Sequence, residues 1–254
     1  MSIANTSRAV GLAAIVGAVL MLAPPRWSTA APSRTKTFTS AAAASKALFD
    51  AARAGDRQAV AAIIGDASCG DPSRDAHERE RFVEKYQQMH RLVREPGGTT
   101  ILYVGAENWP FPIPLVSSKG TWRFDADAGR RELMFRRIGA DEATAIEVCR
   151  VAVAAGKPDA PPANGSDPIV AYAEQLARPP GASDEAFHGY RFVVRKSGDA
   201  ITIVAYPAEY RASGVMTFVV GEDGVVYERD LGPETARVAR TVKPTPASGW
   251  RTAG

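Results

Sequence analysis

Apolar residues recur every three or four positions through SAAAASKALFDAARAGDRQAVAAIIGD, residues 40–66, and the run is interrupted once, at Gly55 and Asp56. That spacing predicts two helices, because glycine suits the position past a helix end and aspartate caps the next N-terminus. After a polar stretch, DASCGDPSRD, the segment AHERERFVEKYQQMHRLV sets Phe82, Tyr86, Met89 and Val93 at helical spacing and predicts one long amphipathic helix that includes His90. From Thr99 the period shortens. TTILYVG, PIPLV and GTWRFD are β-rich runs separated by turn residues.

The helical period then returns twice, in DAGRRELMFRRIG between Asp127 and Gly139 and in ADEATAIEVCRVAVAAG, and predicts two helices. A Pro/Ala/Gly-rich stretch, GKPDAPPANGSDP, reads as a linker, and IVAYAEQLA as a short helix. YRFVVRK, ITIVAYP, VMTFVVG and VVYERDL read as strands, the last two joined by a hairpin at Glu222, Asp223 and Gly224. Helices followed by a meander, twice over, predict an α+β fold with helices packed on antiparallel sheets. The expected halves are residues 40–139 and 140–254.

Composition supports a folded body and adds a compartment. The chain has 254 residues, 45% hydrophobic and 23% charged, enough apolar material for a sizeable core. Arg8 precedes an uncharged run from Ala9 to Ala23, and small residues follow at Ser28, Thr29, Ala30 and Ala31. The run is about 15 residues, shorter than the roughly 20 needed to span a bilayer, so residues 1–30 read as a secretory signal cut near Ala30. A tail over residues 31–39 follows, and the product is expected in the periplasm or outside the cell. The membrane enters only if the leader stays uncleaved. Removing it takes away Arg8, Arg26 and no acid, so the formal charge falls from +3 to +1. With no dense basic stripe, nucleic-acid binding is not expected.

NWPFPIPLV sets Pro110, Pro112 and Pro114 on alternate residues, which deprives one side of a strand of its donors and places the segment at a sheet edge or rim. Two readings stand. Trp109 and Phe111 form a stiff aromatic binding rim, or the prolines only guard an edge while the aromatics pack inward. Trp122 is expected in the core. Arg130, Arg131, Arg136 and Arg137 bring four guanidinium groups onto about two helical turns, either to hold an anionic group or as a solvated face, with Arg136 and Arg137 the ligand-binding candidates.

Asp125, Asp127 and Gly129 lack the further oxygen ligands and distal glutamate of a calcium loop, so Asp127 reads as a helix cap. The three histidines, His77, His90 and His188, form no HExxH or other metal-ligand spacing, and no metal or other cofactor is expected. There is no GxSxG, P-loop or GxGxxG, and SRTK has SxxK spacing but lies in the tail beside the cleavage site. If the chain is an enzyme, His188 or His90 would act with Asp125 or Glu209. A Cys69–Cys149 disulfide would close a loop of about 80 residues, worth on the order of 4 kcal/mol. Against it, Cys149 shares the apolar face of a helix with Ile146 and Val153, where a free thiol is a common small hydrophobe.

FVEKYQQMHRLV, NWPFPIPLV, GTWRFDADAGRRELMFRRIG, AIEVC, HGYRFVV, AYPAEYRASGVMTFVVGEDGVVYERDLG and the terminal SGW resemble, in order, the bacterial domain-of-unknown-function 2950 family. The resemblance covers most of the chain after residue 30. It departs from the family where ARPPGASDEAF crosses directly to HGY, since relatives carry a longer segment there. The family implies an exported protein and brings no catalytic residues. In pattern, the first half resembles cystatin-like or NTF2-like modules, and the second half the helix-plus-meander part of pilin-like proteins. The expectation is therefore a non-catalytic binding or interaction protein of the envelope, acting on a small ligand or an envelope protein. The alternative is a periplasmic hydrolase with a His/Asp or His/Glu site.

Overall fold

The Ser40 hydroxyl accepts the Ala43 amide at 3.0 Å and so caps the first helix, α1 (Ala41–Arg53). This computed structural model describes residues 35–65, 72–157, 166–178, 183–198, 200–242 and 249–253. The expected signal sequence, the SRTK serine, Cys69 and most of the Pro/Ala/Gly-rich linker lie outside those residues. Gly55 takes a positive φ of 68° past the end of α1, and the Asp56 carboxylate caps α2 (Arg57–Ile64) through the Ala59 amide at 2.9 Å. Helix α3 (Pro72–Gln88) packs against α1, where Tyr86 stacks on Phe49 at 4.5 Å and its hydroxyl meets that of Ser45 at 3.1 Å in the interior.

The helix does not continue through His90 and Val93. Residues His90–Arg94 form a strand, β1, whose five residues pair antiparallel with β2 (Thr100–Val104), from His90↔Val104 to Arg94↔Thr100. Val93 fits both a period of four and a period of two, and the turn after Arg94 decides between them. Gly98 there has a φ of 86°, and its hairpin brings five residues onto a partner strand.

The first sheet runs β1-β2-β4-β5, with β3 also on β2. β3 (Trp109–Pro110) and β4 (Leu115–Ser118) both pair with β2, and β4 pairs again with β5 (Thr121–Phe124). Among the described strands β3 has β2 as its single partner, so Trp109 and Pro110 lie on an open side of the sheet, as the alternating prolines predict. Tyr103 pairs with Pro110 and Thr100 with Leu115, so the chain bulges between Phe111 and Pro114, and the missing donors of Pro112 and Pro114 fall where the ladder is already broken. The tail expected over residues 31–39 is docked where described, because Phe38 and Trp122 exchange backbone hydrogen bonds of 2.8 Å along the free side of β5. Leu48, Ile63, Ile113, Leu115 and Phe124 fill the core between this sheet and the helices, with Phe82, Phe111 and Trp122 partly buried against it.

Gly139 does not end a helix. One 30-residue helix, α4, runs from Ala126 to Ala155, about 45 Å at 1.5 Å per residue. A single interior glycine costs only about 1 kcal/mol, less than a break with two uncapped ends. Its cap is Asp125, whose carboxylate accepts the Ala128 amide at 3.2 Å, and Asp127 sits in the first turn.

The two ends of α4 serve different cores. Near its start Gly129 lies against Ile113 of the first core, and its last turns put Ala145, Val148, Cys149, Ala152 and Val153 into the second. Helix α5 (Pro168–Ala177), capped by Asp167, packs along that second stretch. Beneath lies a meander in chain order: β6 (Ser183–Phe187), β7 (Tyr190–Ser197), β8 (Ala200–Pro207), β9 (Met216–Val220), β10 (Val226–Asp230) and β11 (Arg251–Thr252). Its other face is covered by α6 (Thr235–Ala239), which Arg195 holds by donating to the carbonyls of Ala239, Arg240 and Val242. The fold is α+β, as the alternation of periods predicts. β6, α6 and β11 have no such signature, since each is short and owes its conformation to a partner.

Candidate functional site

Trp109 stands at the end of β3, opposite Val104, and is 43% exposed. The bulge that follows frees the Pro110 carbonyl, and Arg136 of α4 donates to it at 3.0 Å. The same guanidinium donates through Nε to Glu132, one turn earlier, at 2.8 Å, and lies 5.0 Å from the centre of the Trp109 ring. Backbone, carboxylate and indole thus fix one cation in place. Asn108, at a positive φ of 54°, accepts Arg91 Nε at 2.7 Å and anchors the turn that leads into the strand. Phe111 belongs to the interior instead, 5.4 Å from Phe82 and 6.0 Å from Phe124 between ring centres. Of the two expected rim aromatics, Trp109 is at the surface and Phe111 is core.

Arg137 faces the other half. Its Nη2 donates to the Ala212 carbonyl at 3.0 Å, so neighbouring arginines hold the NWPFP loop and the YRASG loop to one helix. One turn on, Glu142 Oε1 accepts the amides of Val215 and Met216 at 2.9 and 3.0 Å, and the Tyr190 hydroxyl donates to the Met216 carbonyl at 2.9 Å. Burial, with Glu142 beside it, pushes the Tyr190 hydroxyl far above the ordinary phenol range. A Cβ on Gly214 would lie 2.2 Å from that hydroxyl, which requires glycine there. HGY and YRASG therefore meet at α4, and their first role is to hold the corner.

His188, at a positive φ of 44°, occupies the β6–β7 turn and is exposed. It lies near Asp141, whose carboxyl is raised by burial while the charges of His188 and Arg137 act the other way. Glu209 comes to the same corner, because the Ala208 amide donates to the Gly189 carbonyl at 2.9 Å. Ser213 Oγ is held in its own turn by the backbone of Glu209, at 3.0 and 3.2 Å.

The other proposed partners are elsewhere. His90 stacks on Tyr86 at 3.9 Å and donates through Nδ1 to the Tyr86 carbonyl at 3.0 Å. Asp125 is committed to capping α4 and lies about 24 Å along the helix from Asp141. Cys149 is a free, fully buried thiol, which burial pushes up to about 12, so it is not a thiolate at neutral pH. Among the described residues no group of three His, Cys, Asp or Glu is placed to hold a metal. Asp141, Glu142 and Tyr190 carry no motif that marks them in the sequence. Their one signal is that GADE, HGY and YRASG are each rich in residues with a polar or backbone role.

A family model described as protein of unknown function (DUF2950) matches residues 35–188 and 182–253. Its two segments overlap at β6 and its turn, where ARPPGASDEAF makes its direct crossing. Neither curated proteins nor solved structures provide a match to this chain.

Proposed function

The chain belongs to the DUF2950 family, and from that premise, which assigns no activity, we propose that it is an exported, non-catalytic binding protein of the envelope that takes a small ligand at Trp109. The observation that carries this reading is an indole left 43% exposed while Arg136, the Pro110 carbonyl and Glu132 fix its surroundings. A restrained aromatic contributes contact area at low entropic cost, which suits recognition. Export rests on the uncharged run from Ala9 to Ala23 and the small residues before Ala31. Among the described residues no helix is long and apolar enough to cross a membrane.

The test is a thermal-shift screen of the secreted protein against envelope fragments, lipids and anionic metabolites. A ligand at a hundred times its dissociation constant adds about 2.7 kcal/mol, roughly 5–10 °C for a chain of this size. The shift is expected to vanish in Trp109→Ala, which should itself cost under about 1 kcal/mol, whereas Phe124→Ala, fully buried, should cost about 3–5 kcal/mol. Equal losses of stability at the two positions would make Trp109 a core residue and end the proposal. The intact mass of the secreted species should begin at Ala31.

The second reading, a hydrolase, is favoured by one juxtaposition, His188 with Asp141 and with Glu209 close by in the same corner. A ligand shift lost in His188→Ala and kept in Trp109→Ala would support it over the first.

A further inference from the structure

We infer that Trp109, Glu132 and Arg136 form a saccharide subsite, in which the C–H face of a pyranose ring lies on the free face of the indole. The inference rests on the binding role proposed above and names its ligand class. One face of the ring is taken by the Arg136 guanidinium at 5.0 Å, yet 43% of the residue is still exposed, so the remaining surface is offered outward.

Three ligand classes lie flat on such a surface: cations, apolar or aromatic groups, and sugars. A cation is disfavoured, because the ring already has one guanidinium against it and Arg130, Arg131 and Arg137 stand on the same helix. A purely apolar partner is disfavoured as well. The groups nearest the ring are polar or charged, with Glu107 and Asn108 beside Trp109 in the chain and the Glu132–Arg136 pair across it, and Phe135, 61% exposed next to Arg136, adds one apolar side chain to a mainly polar rim.

A sugar ring combines an apolar C–H face with a rim of hydroxyls, each both donor and acceptor. It therefore needs an aromatic plane flanked by donors and acceptors held side by side. The Arg136–Glu132 pair supplies both at 2.8 Å, with side chains 30% and 44% exposed and so within reach of a ligand. Glutamate offers its second oxygen as acceptor, and the guanidinium has donors to spare. The proline bulge fixes the plane before the ligand arrives, so little ordering is left to do on binding.

The experiment titrates the purified protein with neutral β-linked N-acetylglucosamine oligomers and with maltohexaose, read by calorimetry, beside the non-sugar compounds of the thermal-shift screen. Saturable binding of at least one oligomer is expected, weakened at least about tenfold in Trp109→Ala, restored by Trp109→Tyr, and weakened in Glu132→Gln. No saturable binding of either oligomer at millimolar concentration overturns the saccharide assignment. If a non-sugar ligand is then lost in Trp109→Ala, the binding role stands and only the ligand class falls. If Trp109→Ala changes the binding of nothing in the screen, both fall.

Discussion

Burial raises the Asp141 carboxyl above its ordinary range, and the opposing charges of His188 and Arg137 reduce that shift without reversing it. The native chain therefore holds this proton more tightly than the unfolded chain. The resulting stability is fully present below the ordinary Asp value of 3.8 and is lost as pH rises through the higher native value. Asp141→Asn should flatten that part of the pH profile and raise stability at neutral pH, as measured by urea midpoints across a pH series; an unchanged profile would mean that Asp141 is solvated. Single residues were legible where their role is local. Asp56 caps a helix as its position implies, and Cys149 lies on an apolar face as its spacing with Val153 implies. Residues whose role depends on a distant partner were not: nothing near Asp141 or Glu142 in the chain announces the turn at His188 or the amides of Val215 and Met216.

Two glycines of one helix should respond oppositely to the same substitution. A Cβ on Gly139 meets nothing within 4 Å, so Gly139→Ala should stabilise by about 0.5–1 kcal/mol through helix propensity. A Cβ on Gly129 would lie 2.6 Å from Ile113 Cγ1 and 3.1 Å from its Cβ, within a filled core. Gly129→Ala should therefore cost about 1–3 kcal/mol net of the propensity gain, and denaturant midpoints at unchanged slope would register both signs. The same contrast explains which elements could be read in advance. Long periodic runs such as α1 and β7–β10 carry their own signal, whereas β1 was hidden by a residue that fits two periods. The alternating prolines mark the open side of β3, which pairs with β2 alone, but nothing in them announces the bulge that lets β4 take up the ladder with two neighbours.

The molecule has two main cores and one long element common to both. The first encloses Leu48, Ile113 and Phe124, the second Val148, Phe192 and Phe218, and α4 contributes to each from opposite ends. Gly139→Pro should cost α4 about 3 kcal/mol at its middle while leaving both cores intact. Calorimetry is then expected to give one transition for the native protein and two for the variant; a single transition in the variant would mean that contacts other than the helix couple the halves. Arg136 and Arg137, adjacent on this helix, reach Pro110 on one side and Ala212 on the other. Such an arrangement depends on phase. One extra residue after Arg137 would advance the second half by about 1.5 Å and turn it by about 100°, carrying the Ala212 carbonyl away from Arg137 while Arg136 keeps Pro110, whereas seven extra residues would nearly restore the angle and leave an offset along the axis. The stretch between the two cores is thus a ruler marked in helical turns, on which Arg137 senses both the angle and the length of any change that follows it.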